Sequence, residues 1–371
     1  MSEIRNVPFF NYPRVFLDEE QQLTEIFHDV GSRGAFILQK DLQEFENDLA
    51  GYVGTKHAVG VANATDGLEL AWMAVGLRPG DEVILCSHTM LATAASVVTA
   101  GGRPVPVELG EDNLIDPQAV EAAINPRTVG IMPTQLNGRT CNMDRIMGIA
   151  QKHGLFVVED AAQALGSRFK GKMAGTFGKA AAISFFPAKV LGCLGDGGGV
   201  VTNDDAIFDR VYQLHDHGRD INGEVRSWGR NSRLDNLQAA ILKYRLQSYS
   251  QVIERRREIA AMYQSLLGDL EELKLPPAPN ANPDHFDVYQ NYELEADRRD
   301  ELKEYLRQNG IGTLIQWGGK AVHQFERLGF TCRLPKVERF FERCLMLPMN
   351  MFLYNTDVEY VCGKIRSFYR K

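Results

Sequence analysis

From about residue 34 to 245 the chain alternates short apolar runs with amphipathic stretches. The runs cover 57–61, 82–86, 103–107, 128–132, 155–158, 180–185 and 199–202. Most are rich in Val, Ile and Phe, and Gly80-Asp81, Gly101-Gly102 and Gly154 punctuate them. Apolar runs this short, bounded by turn residues, predict strands buried on both faces. Between them, apolar residues at helical spacing predict helices over 65–76, 91–100, 117–124, 142–153 and 204–214. Asp116-Pro117 supplies an N-cap followed by proline at the first helical position. Strands separated by helices predict an α/β fold, a three-layer large domain around a mostly parallel sheet.

The pattern then changes. Residues 234–267 form a long helical stretch of one or two helices, and the proline-rich segment 275–284 breaks the chain. Beyond it, 285–294 alternates like a half-buried strand, 298–308 is helical, 312–317 reads as a strand, and two helices close the chain near 336–345 and 356–369. A single core stops growing near ~250–300 residues, and this chain has 371. The expected division is a large domain over 1–245, including the N-terminal segment, and a smaller α+β domain over 246–371.

Composition narrows the class. Apolar residues at 44% and charged residues at 24% are globular values, and 41 Lys and Arg against 48 Asp and Glu leave a net charge of −7. That balance lacks the basic footprint of a nucleic-acid binder. Six cysteines, at 86, 141, 193, 332, 344 and 362, include no CxxC pair, so neither a disulfide framework nor a structural zinc site is expected. The opening residues lack a signal pattern, and no apolar run reaches the ~20 residues of a membrane span. A cytoplasmic protein without membrane or nucleic-acid partners is the expectation, and no metal site is expected.

Three stretches carry chemistry, each just past the carboxyl end of a predicted strand, the edge where open α/β sheets bind ligands. Asn63-Ala64-Thr65-Asp66-Gly67 opens a helix, and a helix N-terminus suits a phosphate; an ordinary Thr or Asp cap explains the same residues. In Glu159-Asp160-Ala161-Ala162-Gln163 a carboxylate ends a buried strand and needs either loop amides or a cation as partner. In Ser184-Phe185-Phe186-Pro187-Ala188-Lys189, followed by the glycine-dense 192–199, a lysine has apolar neighbours. It is either a solvated surface residue or an amine whose pKa is lowered enough to form a Schiff base. The glycines would let backbone approach a flat ligand. Gly166 to Lys172 has the spacing of a phosphate-binding loop, but Met173 replaces the magnesium-holding hydroxyl, so it is rejected. A phosphate anchor, a carboxylate for a pyridinium nitrogen and a Schiff-base lysine together are what pyridoxal phosphate requires.

These stretches, with Arg78-Pro79-Gly80-Asp81-Glu82-Val83 and 231–240, resemble the DegT family of nucleotide-sugar aminotransferases, which share the pyridoxal-phosphate transferase fold of type I. The resemblance runs from about Gly34 to the C-terminus. It implies that Lys189 bonds the cofactor and shuttles the proton, and that Asp160 keeps the pyridine nitrogen protonated. It implies that Ala64, Thr65, the amides around Asp66, and Ser184 bind the phosphate, that Gln163 contacts the ring, and that Asn231 reaches the partner's phosphate across a homodimer with shared active sites. Met90 stands where the family usually carries a stacking aromatic. Arg230 replaces a common tyrosine, and Gln316-Trp317-Gly318 replaces a frequent His-Tyr-Pro, with His323 following. Met90 is thus an implied cofactor contact, and Arg230, Gln316, Trp317 and His323, with His88 and Arg219, are the implied substrate contacts. The implied reaction moves an amino group from L-glutamate to a nucleotide-linked ketosugar, giving an amino sugar for lipopolysaccharide or another glycoside. The alternatives are a sugar dehydratase or other pyridoxal enzyme, and a non-catalytic sensor on the same fold.

Overall fold

The computed structural model describes residues 5–369. Seven strands form the central sheet in the order 57–61, 198–202, 180–184, 156–160, 128–132, 82–86, 103–107. All pairings are parallel except those of Gly198–Thr202, which runs antiparallel to both neighbours. The expected helices lie at Ala64–Ala74, Leu91–Thr99, Pro117–Ala123, Met143–His153 and Asp205–His215. The sheet is covered on both sides. Trp72, Leu68 and Val97 pack on one set of strand side chains, while Phe45, Phe185 and Ile253 build a core with others.

Three helices precede the sheet that the apolar runs did not announce, Tyr12–Leu17, Glu20–Arg33 and Lys40–Val53; the last buries Leu42, Phe45, Leu49 and Val53 at helical spacing. The long helical stretch is two helices, Asn236–Leu246 and Tyr249–Leu267. The second spans two cores: Tyr249 and Ile253 pack with the large sheet, Ile259, Tyr263 and Leu267 with a separate C-terminal core. That core surrounds an antiparallel sheet of Leu273–Lys274, Tyr292–Ala296 and Cys344–Leu347. Val7 belongs to it too and bridges to Ile311.

Three C-terminal expectations are corrected. The strand over 285–294 is interrupted: His285–Phe286 pairs with Arg168–Phe169, the backbone kinks at Tyr289 with φ +51°, and pairing resumes at Tyr292. Residues 312–317 hold one bridge, Leu314 to Met346, before a tight turn at Gln316–Gly319. The helix near 336–345 ends at Arg343, and Cys344–Leu347 is a strand. Four consecutive apolar residues carry no period, so sequence alone could not separate the two. Gly166 to Lys172 contributes to a small hairpin, Arg168–Phe169 with Lys172–Met173, not a strand-to-helix phosphate loop.

Candidate active site

The carboxyl ends of His57–Val61, Phe156–Asp160 and Ala180–Ser184 converge on a cavity of about 590 Å³ whose walls include Ala64, Thr65, Asp66, Met90, Asp160, Gln163, Ser184 and Lys189. At one end lies the N-terminus of Ala64–Ala74. The first amides of a helix have no intrahelical acceptor. Asn63 caps the amide of Asp66 at 2.9 Å through its side chain, so Ala64 and Thr65 are the amides left to face a ligand. Asp66 therefore does not offer its own amide, and its carboxylate accepts from Ser232 Oγ at 2.7 Å. Across from it, Ser184 Oγ accepts from the Phe186 amide at 3.3 Å, which leaves its proton free to be donated. Gly198 sets the close approach here. A Cβ on it would sit 2.5–2.8 Å from the backbone of Asn63 and Ala64. It seats the turn at Asn63 and Ala64 against the sheet.

Successive side chains in a strand point to opposite faces, and this divides the two carboxylates. Glu159 is fully buried and accepts four donors, the amides of Gly175, Phe177 and Gly178 and the Gln135 carboxamide, all within 2.7–2.9 Å. Asp160 faces the cavity. Its Oδ2 accepts from Thr93 Oγ1 at 2.7 Å and its Oδ1 from the Ala162 amide at 3.1 Å. Burial raises its pKa; those two donors and the positive charge of Lys189 oppose the rise. Thr93 also meets Thr89 at 2.7 Å, and Thr89 meets Thr134 at 2.9 Å. Each hydroxyl has one proton. With Asp160 ionised the chain can run only one way, Thr134 to Thr89 to Thr93 to the carboxylate.

Lys189 lies in the loop after Ala180–Ser184, its amide donating to Phe186 O at 2.8 Å. Part of its side chain faces the cavity, yet the surrounding protein dominates: burial lowers the ammonium pKa to about 8, against the opposing charge of Asp160. An amine that loses its proton near neutrality is a nucleophile and a base.

The structure puts Gln163 at the cavity wall, its Oε1 accepting from the Asn137 amide at 2.9 Å. Other expected contacts lie elsewhere in this chain. His88 is buried beneath Phe340, Phe341 and Trp317; its ring donates from Nδ1 to Asn113 O at 2.8 Å and faces Glu293 at 3.3 Å. His323 is also buried. Ser87 Oγ accepts from its amide at 3.1 Å and hydrogen-bonds its Nδ1 at 2.7 Å, and its Nε2 lies 3.3 Å from Glu338. Both rings are buried away from the cavity wall; His88 Nε2 approaches Glu293 without a hydrogen bond. Gln316 is buried one layer behind Gln163, donating to Asn137 Oδ1 at 3.0 Å, and Trp317 packs edge-on to His88. Arg219, Arg230 and Asn231 belong to an exposed loop outside this cavity, where Arg219 pairs with Asp216 and Arg230 with Glu69. Met90 lines the cavity half exposed, with its sulfur accepting the Ala92 amide at 3.0 Å.

Comparison with known proteins agrees with this geometry. The profile of the DegT/DnrJ/EryC1/StrS aminotransferase family matches residues 17–366. The chain belongs to that family. It is 37% identical to the dTDP-3-amino-3,4,6-trideoxy-alpha-D-glucose transaminase of Streptomyces venezuelae, over 99% of this chain and 97% of the relative. It is equally identical to a protein of Geobacillus stearothermophilus named as a pleiotropic regulatory protein, over 98% and 99%. Among solved structures, S. venezuelae DesV in complex with a ketimine intermediate superposes with a TM-score of 0.94 at 37% identity, covering 99% of both chains. The fold is that of the type I pyridoxal-phosphate aminotransferases, and the family's cofactor is pyridoxal phosphate.

The residues present fit that group. Open amides and a free hydroxyl proton suit its phosphate, a lysine of lowered pKa suits its aldehyde, and a buried carboxylate suits its ring nitrogen. Thr93 and Thr89, which support that carboxylate, are absent from the expected set. Their signal was a pair of hydroxyl residues four positions apart beside a predicted strand end. Asking what donates to a buried carboxylate would have found them. Among the described residues, no cluster of His, Cys, Asp and Glu could hold a metal ion, and no helix is long and apolar enough to cross a membrane.

Proposed function

We propose that this chain aminates carbon 3 of a nucleotide-linked ketosugar with L-glutamate as donor, acting as a cytoplasmic homodimer in the supply of amino sugars for lipopolysaccharide or a related glycoside. The observation that carries the reading is the convergence of Lys189, Asp160 and the open helix N-terminus on one cavity. The bound cofactor supplies an electron sink for a carbanion. Lys189 would take the proton from the donor carbon and deliver it to the cofactor's former aldehyde carbon, and Asp160 would hold the ring nitrogen's proton. Carbon 3 is favoured by the S. venezuelae relative, whose name places its amino group there.

The test is turnover with paired 3-keto and 4-keto nucleotide sugars. Stoichiometric 2-oxoglutarate from glutamate, with amination of the 3-keto sugar, is expected. Sugar consumed without 2-oxoglutarate would instead indicate a dehydratase. A relative named as regulatory favours one further reading, a ligand sensor. That reading requires binding of the same sugars with no turnover.

Several features support shared sites. Asn231 is exposed and outside its own cavity, in a loop that also exposes Ile221, Val225 and a nearly bare Trp228. Met90 and Phe186 at the cavity are half exposed as well. Large apolar side chains exposed together mark an association surface. Subunits carrying Asn231→Ala, exchanged with subunits carrying Lys189→Ala, are therefore expected to regain activity. At equal mixing half the dimers are mixed and each has one intact site, so about a quarter of wild-type activity should return. No recovery after demonstrated exchange would mean that each site is built from one chain.

A further inference from the structure

The backbone on either side of Lys189 is held by one side chain. Gln290 accepts the Val190 amide at 2.9 Å through Oε1 and donates from Nε2 to Ala188 O at 2.8 Å. A carboxamide is the side-chain group that offers a donor and an acceptor on one rigid plane, and here it closes on the two peptide groups that flank the catalytic amine. Gln290 is 7% exposed, and its own backbone is fixed in turn. The buried Arg256 donates from Nη1 to the carbonyls of Tyr289 and Gln290 at 2.9 and 3.1 Å. The segment is further seated on Gly138, whose carbonyl accepts the Val288 amide at 2.8 Å. A Cβ at Gly138 would lie 2.7 Å from the nitrogens of both Tyr289 and Gln290. The left-handed backbone at Tyr289 is the kink that turns Gln290 toward the lysine loop. The next residue, Asn291, donates to Asn137 Oδ1 at 2.8 Å, the residue whose amide holds Gln163.

We infer that Gln290 is a positioning residue for Lys189: its carboxamide fixes the peptide groups around the lysine so that the amine stays aligned when it is free of its covalent link and must move a proton. The need follows from the chemistry. A lysine that leaves the cofactor in each half-reaction and then acts as base loses the tether that oriented it, and its four-carbon stem is flexible. A backbone clamped on both sides limits how far that stem can wander. Misplacement of a catalytic group by about 1 Å is enough to cost about 100-fold.

The inference rests on Lys189 being the reacting amine, which borohydride reduction of the wild-type holoenzyme tests on its own by labelling that peptide. The experiment on the inference uses Gln290→Met holoenzyme, an apolar replacement of similar length. The half-reaction with L-glutamate and with its 2-deuterated form is followed by stopped flow, and the dissociation constant of pyridoxamine phosphate, which forms no bond to the lysine, is measured alongside. The expected result is a fall of about 10–100-fold in the rate of conversion with a raised deuterium isotope effect, while pyridoxamine phosphate affinity and KM for glutamate move by less than about 3-fold. An unchanged rate and isotope effect would overturn the inference. So would a loss of pyridoxamine phosphate affinity as large as the loss of rate, because that marks a cavity that has merely come apart. Gln290→Glu, which keeps the acceptor toward Val190 but sets an oxygen against Ala188 O, guards against a failure to fold. It is expected to show the same split.

Discussion

Lys189→Ala is expected to remove turnover while leaving the cofactor site standing. The amine acts twice, as nucleophile toward the cofactor's aldehyde and as the base that moves the proton. General acid–base catalysis alone contributes up to ~10⁴-fold, so the loss should reach at least that. The phosphate contacts do not depend on the lysine: Asn63 still caps the helix, Ala64 and Thr65 keep their amides, and Ser184 keeps its hydroxyl. The variant should therefore still bind cofactor without a covalent bond, and borohydride should label nothing at position 189. Wild-type protein should show a pH signature of the same amine. Burial holds it near 8 rather than at the usual 10.5. Only the neutral form attacks, so capture of pyridoxal phosphate by the cofactor-free chain should slow about tenfold per unit of pH below 8 and level off above it. A rate that keeps climbing toward pH 10 would mean that the lysine is solvated. Labelling of another lysine would move the chemistry elsewhere.

Position past a strand end was enough to pick out two residues that the fold brings to one cavity. Asp160 and Lys189 each follow a run of buried apolar residues, and the sheet delivers both to one edge. The choice between loop amides and a cation for the carboxylate pair turned out to apply one to each. Strand alternation sends Glu159 to the amides of 175–178 and Asp160 to the cavity. What the sequence hid depends on tertiary closure. Gln290 acts because the chain kinks at Tyr289, and that kink is held by Gly138 and Arg256, both more than thirty residues earlier in the chain. No local pattern encodes it; an alternating stretch at 285–294 argues for a continuous strand. The histidines show the converse. His88 and His323 carry a residue type that suits catalysis, but in the fold their ring nitrogens face Asn113, Ser87 and acidic neighbours away from the cavity. Residue type proposes a role, and the partners it finds decide it.

The second large effect is expected at Asp160, where activity should fall and stability should change little. Asp160→Asn keeps the size of the side chain. Its carbonyl oxygen can still accept from Thr93, whose own orientation is fixed by Thr89 and Thr134 behind it. The exchanged atom is then Oδ1, so an NH2 donor replaces the carboxylate oxygen that accepts the Ala162 amide, and it also puts a donor on the side toward the ring. A donor there favours the nitrogen without its proton, and a neutral ring accepts a carbanion's electrons poorly. The loss should be of the order of other missing electrostatic contacts, ~3–4 kcal/mol or about 10²–10³-fold in kcat, with KM for glutamate little changed. Folding should change little: the Ala162 amide loses its acceptor, but burial already disfavours the Asp160 charge and a neutral amide is cheaper to bury than a carboxylate. The measurements are kcat for the variant and thermal melting of the cofactor-free chains. Thr93→Val extends the argument: it deletes the donor but keeps the volume, leaving the carboxylate with one fewer partner. Its pKa should rise further and kcat should fall by a smaller factor than in Asp160→Asn. Near-normal turnover in Asp160→Asn would show that ring protonation does not limit this enzyme. A parallel drop in melting temperature would make the carboxylate a structural residue instead.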